Sequence, residues 1–152
     1  MIIPNDIFMP EVEKILREGK RVVLKAKGNS MLPFIRNLKD SVVLEPVCVE
    51  KLGRGDIVLA RVNGKNVYVL HRILSIKGEK AVLMGDGNIR GKELCRTADI
   101  CGKVIRILAG EKETDPNSAA ERRKAVLWMK LLPVRRWLLA LYRVGRKFGI
   151  TG

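Results

Sequence analysis

Three side chains of the types that a hydrolytic serine site requires occur along this chain in the order Ser30, His71, Asp86. Ser30 lies in Gly28-Asn29-Ser30-Met31-Leu32-Pro33-Phe34-Ile35-Arg36, between a small Gly-Asn pair and a proline that stops any regular element. Glycine tolerates positive φ and proline lacks a backbone donor, so the run predicts a shaped turn that displays one serine after an apolar strand. His71, the only histidine, falls in the strand-like Tyr68-Val69-Leu70-His71-Arg72-Ile73, and Asp86 in the glycine-flanked turn Met84-Gly85-Asp86-Gly87-Asn88. A serine hydroxyl is a weak nucleophile at neutral pH and needs a base to take its proton. An imidazole, ordinarily titrating near ~6.5, can take that proton and return it to a leaving amine. A carboxylate can orient the ring and stabilise its charged form. Taken singly, each residue has a plainer use: a turn serine bonding its own backbone, a satisfied strand histidine, a turn-forming aspartate. Together, on one β framework, they weigh toward chemistry.

The framework must fit 152 residues, enough for one domain or one domain with an appendage. The apolar share of 47% supports a packed core, which with so few aromatics must be built from Val, Leu and Ile. No run of eighteen apolar residues predicts a membrane-spanning helix. The early Asn5, Asp6, Glu11 and Glu13 do not suit a signal peptide, so the expected location is the cytoplasm, peripheral to a membrane at most. The cysteines, Cys48, Cys95 and Cys101, are odd in number and lack metal-ligand spacing; they read as buried thiols, with no metal and no cofactor implied. The net charge of +14 calls for an anionic partner: nucleic acid, an acidic membrane surface or an acidic peptide.

Residues 8–18 predict a short N-terminal helix with Val12, Ile15 and Leu16 as its stripe. Strands are expected at 21–27, 41–45, 56–62, 66–75, 80–84 and 103–109, with a hairpin turn at Asn63-Gly64 and another at Lys77-Gly78. The spacing predicts a mainly β fold of coiled or barrel-like antiparallel sheet across residues 1–110. A polar linker is expected at 111–117. Residues 118–152 read as a basic amphipathic helical tail, started by the Ser118/Glu121 capping pair and split by Pro133.

Five blocks in residues 25–88, with Asp99-Ile100-Cys101-Gly102-Lys103-Val104, resemble the signal peptidase I and LexA-like (S24/S26-type) serine peptidase superfamily. Gly28-Asn29-Ser30-Met31-Leu32-Pro33 resembles its nucleophile box. Asp40-Ser41-Val42-Val43 and Gly53-Arg54-Gly55-Asp56-Ile57-Val58 are similar to its Gly-Asp strand entries. His71-Arg72-Ile73 occupies the base position, and Gly85-Asp86-Gly87-Asn88 resembles its Gly-Asp-Asn turn. The resemblance implies coiled antiparallel sheets and peptide-bond hydrolysis, with Ser30 as nucleophile, His71 as general base and Asp86 as carboxylate partner. Many relatives use a lysine base. A histidine 41 positions after the serine (71 − 30) is similar to the archaeal and endoplasmic-reticulum type, although Lys65 and Lys77 lie nearby.

The chain departs from the pattern in three places. No membrane anchor precedes the serine strand, and the 27 residues before the box leave little room for the DNA-binding helices of a LexA-like repressor. Gly28 stands where many bacterial relatives carry an oxyanion-binding hydroxyl, which leaves the Ser30 backbone N–H, with Asn29 assisting, as the expected oxyanion donors. The tail sets Trp128, Arg135, Arg136, Trp137 and Arg143 as candidate contacts to an anionic membrane surface. Nucleic-acid binding ranks below this, because the tail is too apolar for a solvated phosphate-tracking arm. The sequence thus points to a serine endopeptidase acting on a leader or precursor peptide. The alternative is a domain of the same fold that binds peptides or membranes without catalysis.

Overall fold

Short runs of alternating Val, Leu and Ile separated by glycine turns give, among the described residues, eight strands, all paired antiparallel, in one curled half-barrel sheet. The computed structural model describes residues 5–28, 30–62, 67–88 and 91–147. The strands are β1 Val22–Lys25, β2 Asp40–Pro46, β3 Ile57–Val62, β4 Val67–Lys77, β5 Lys80–Met84, β6 Glu93–Arg96, β7 Ile100–Ala109 and β8 Lys112–Thr114. Their order in the sheet is β1-β2-β7-β3-β4-β5-β6, with β8 pairing β7 off that path. Three α-helices join the strands among the described residues: α1 Asn5–Arg17, α2 Ala119–Lys130 and α3 Arg135–Lys147.

The mainly β architecture, the N-terminal helix and the helical C-terminal segment agree with the sequence reading. The Asn63-Gly64 turn and Asn29 lie outside the described residues; Val62 and Val67, on either side of that turn, are register partners in the β3–β4 pair. Two strands were not anticipated. β6 is four residues long and leaves Leu94 exposed, so it carries too little alternation to register. β8 falls inside the expected 111–117 linker, so that residues 112–114 of it belong to the sheet, with Ile107 opposite Thr114.

Two apolar clusters hold the sheet. Met9, Val12 and Leu16 of α1 pack with Val42, Leu44, Leu59 and Val104, while Val58, Val62, Ile73, Leu83 and Ile100 form the second. Gly102 lets α1 come close: a Cβ there would stand 2.8 Å from a Leu16 methyl. Cys95 and Cys101 are buried as expected, whereas Cys48 is exposed on a loop. Burial pushes the thiol of Cys95 up to about 11 and that of Cys101 up to about 12, so both stay protonated.

The tail folds back on the sheet. The Ser118 hydroxyl accepts the Glu121 N–H and caps α2, and Pro133 lies in a single 3-10 turn, Leu132–Val134, that separates α2 from α3. Arg122 of α2 reaches the buried Asp56 carboxylate at 2.6 Å, which Lys103 also approaches at 3.5 Å.

Candidate active site

Ser30 is held in place by its neighbours. Met31, Leu32 and Ile35 are buried, and the Met31 carbonyl accepts from both Phe34 N–H and Ile35 N–H at 3.0 Å. The Gly28 N–H donates to Asn37 Oδ1 at 2.8 Å, and Leu38 N–H to the Ala26 carbonyl at 2.8 Å. At the end of the loop Arg36 forms a two-pronged pair with the buried Asp40, whose Oδ2 also accepts the Arg36 N–H at 2.7 Å. Gly28 takes φ +92, a conformation that a side chain strains, so this backbone favours glycine at that position.

His71 is buried on β4, with Val58 of β3 as its register partner. Its Nδ1 lies 2.9 Å from Glu93 Oε2. A carboxylate only accepts, so in the neutral ring Nδ1 carries the proton and Nε2 is the acceptor. Nε2 points to the 85–88 turn: a Cβ built on Gly85 would sit 3.0 Å from it and would collide with the Ser30 carbonyl oxygen. Glycine at 85 is thus the one residue that lets the serine backbone and the imidazole close on the same point. The Gly87 N–H donates to that Ser30 carbonyl at 2.8 Å, and the Asp86 N–H meets Met31 Sδ at 3.4 Å. Ser30 and His71 both line a cavity of about 160 Å³ whose other walls include Leu24, Ala26, Met31 and Leu70.

Asp86 does not face His71, which corrects the expected carboxylate partner. It is buried and gripped by Arg72, with Nη2 to Oδ2 at 2.7 Å and Nε to Oδ1 at 2.8 Å. Arg72 also donates to the Gly55 carbonyl at 2.8 Å and lies 4.9 Å over the Phe34 ring. The aspartates of all three Gly-Asp-like blocks are therefore buried ion-pair partners: Asp40 with Arg36, Asp56 with Arg122 and Lys103, Asp86 with Arg72. Neighbouring residues on a strand turn to opposite faces, which is why Arg72 takes the aspartate and His71 does not.

Glu93 was missed by the sequence reading. The register explains its reach: Ile73 pairs with Leu83 and Leu83 with Glu93, so Glu93 lies across β5 from Ile73, two residues along from His71. The available signal was an acid on a short polar stretch after the 85–88 turn, indistinguishable in sequence from a surface glutamate.

Two of the expected membrane contacts also prove to be internal. Trp128 Nε1–H donates to the Asp86 carbonyl at 2.7 Å, and its ring meets Phe34 edge-on at 6.4 Å between centroids. Arg135 is buried, donates to the Asn88 carbonyl at 3.0 Å and the Trp128 carbonyl at 3.2 Å, and lies over the Trp128 ring. Burial depresses the Arg135 guanidinium, and its Nε has no hydrogen-bond partner among the described residues. Arg136, Trp137 and Arg143 are exposed. No protein-family model matches this chain, and no curated protein sequence does.

Proposed function

We propose that this protein is a serine endopeptidase in which Ser30 is the nucleophile, His71 the general base and Glu93 the carboxylate that orients it. The observation that carries the reading is the contact of His71 Nδ1 with Glu93 Oε2 at 2.9 Å, which in the neutral ring leaves Nε2 free to accept beside the point where the Ser30 backbone meets Gly85.

The chemistry follows from these groups. Ser30 Oγ bonds to the scissile carbonyl carbon as its proton passes to His71 Nε2. Glu93 offsets the charge gained by the ring. The C–N bond then breaks and Nε2 gives the proton to the leaving amine. A water then loses a proton to the same nitrogen and bonds to the acyl carbon; the C–Oγ bond breaks and Nε2 returns the proton to Ser30 Oγ. The Ser30 backbone N–H is the candidate donor to the oxyanion. The apolar cavity beside the pair suits an apolar substrate side chain next to the scissile bond. The substrate class is a leader or precursor peptide.

The competing reading is a peptide-binding domain without catalysis, favoured by Gly28, which supplies no hydroxyl to an oxyanion. A serine-directed covalent probe separates the two, since only an activated hydroxyl reacts readily. Labelling that maps to Ser30 and disappears in His71→Ala supports the peptidase, as does leader-peptide cleavage abolished by Ser30→Ala. Absence of labelling with intact peptide binding leaves the non-catalytic domain.

A further inference from the structure

Helix α3 has two unlike sides. Its inner side carries the buried Arg135 and Leu139, joined to the 85–88 turn through the Arg135 hydrogen bonds. Its outer side carries Trp137, Leu141 and Val144, exposed to 65%, 68% and 51%, and Val134 just before it is exposed to 45%. The spacings of three, four and three residues set these four side chains in one stripe along the helix. A contiguous apolar stripe left open to solvent signals a partner.

Charge decides which one. Arg136 and Arg143 are exposed beside the stripe, and the Arg136 guanidinium lies 5.5 Å over the Trp137 ring. α2 repeats the pattern, with Arg123, Val126, Leu127 and Lys130 all exposed. Glu121 is the only acid from residue 118 to the end, and it is bound to Lys124 at 2.9 Å. A second copy seated on this stripe would set arginine against arginine. A single-helix stripe also falls far short of the roughly 800 Å² per partner of a stable protein interface.

We infer that the outer face of α3 docks in the plane of an anionic lipid bilayer. Trp137, Leu141, Val144 and Val134 enter the acyl boundary while Arg136 and Arg143 reach headgroup phosphates. Tryptophan favours that boundary, and the net charge of +14 draws the chain to it. A helix of 13 residues lies on the bilayer, and among the described residues no helix is long and apolar enough to cross it. The face differs from the one the sequence suggested, because Trp128 and Arg135 are turned inward. The inference does not rest on the peptidase reading.

The full-length protein is mixed with phosphatidylcholine vesicles with and without phosphatidylglycerol, and sedimentation and tryptophan emission are followed. Binding is expected only with phosphatidylglycerol, weakening with added salt, with a blue-shifted emission that Trp137→Phe removes. Leu141→Asp should lower partitioning at least about tenfold with an unchanged melting curve, and Arg136→Gln with Arg143→Gln should flatten the salt dependence. Ser30→Ala should bind as the parent does, which keeps this result separate from any loss of cleavage. No binding to phosphatidylglycerol vesicles at low salt overturns the inference. So does binding that Leu141→Asp leaves intact, or a dimer that the same substitution dissolves in place of vesicle binding.

Discussion

Glu93, on the edge strand β6, holds Nδ1 of the buried His71 at 2.9 Å from across β5. In the neutral ring the contact fixes which nitrogen bears the proton and leaves Nε2 beside Gly85. Glu93→Ala should release the ring. Nitrogen chemical shifts of His71 should move from the Nδ1-protonated tautomer toward a mixture, whether or not the protein is an enzyme. If it is one, kcat should fall by about one to three orders of magnitude with little change in KM, Glu93→Gln being the milder substitution. An unaltered tautomer and an unaltered kcat would remove Glu93 from the site.

Asp86 calls for the opposite outcome. Its carboxylate and the Arg72 guanidinium are both buried and bonded twice over. Asp86→Ala leaves a buried cation without its partner, so unfolding in urea should show a loss of about 3–5 kcal/mol. Adding Arg72→Met should recover part of it, although the Gly55 and Phe34 contacts of Arg72 are lost too. A stable Asp86→Ala protein that had lost only kcat would restore Asp86 as the catalytic carboxylate.

Trp128 ties the tail to the turn beside the site. Trp128→Phe keeps the ring against Phe34 but drops the Nε1–H bond to the Asp86 carbonyl. The expected cost is about 1 kcal/mol. Amide exchange should speed up locally at Gly87, whose N–H is bonded to the Ser30 carbonyl. Equal exchange rates in the two proteins would show that the turn stands without the latch.

The Glu13–Tyr68 bond links α1 to β4 and carries a pH signature. The Tyr68 hydroxyl donates to Glu13 Oε1 at 2.7 Å. Burial, and then this bond, push the Tyr68 phenol up to about 12. The folded state therefore keeps a proton that the unfolded chain releases near ~10, so this stabilisation is complete below ~10 and lost as pH rises toward 12. Burial pushes the Glu13 carboxyl up, but the Tyr68 and Arg17 hydrogen bonds outweigh it and hold the group below its usual range. That contribution is present above the ordinary glutamate range and fades as pH falls through the lowered value. Tyr68→Phe should flatten the alkaline limb of Tm against pH and weaken the acid one. An alkaline limb that keeps its slope would assign it to other groups.

Most of the fold was legible because strand alternation and glycine turns are local signals. The runs at 56–62 and 80–84, the capped helix at 118 and the break at Pro133 all follow from short-range stereochemistry. β6 and β8 were illegible for the same reason: four and three residues do not make a period.

The sequence by itself determined which residues can do chemistry, because only one histidine exists and a glycine-proline frame marks one serine. It could not decide which acid serves that histidine. Asp86 is nearer along the chain, but carboxylate assignment depends on strand register, on which face each side chain takes, and on competition from Arg72, and none of these is a property of neighbours in sequence. The tail divides the same way. Composition fixed its basic, apolar character, while only packing against the 85–88 turn decided that Trp128 and Arg135 face inward and that Trp137, Leu141 and Val144 are left to solvent.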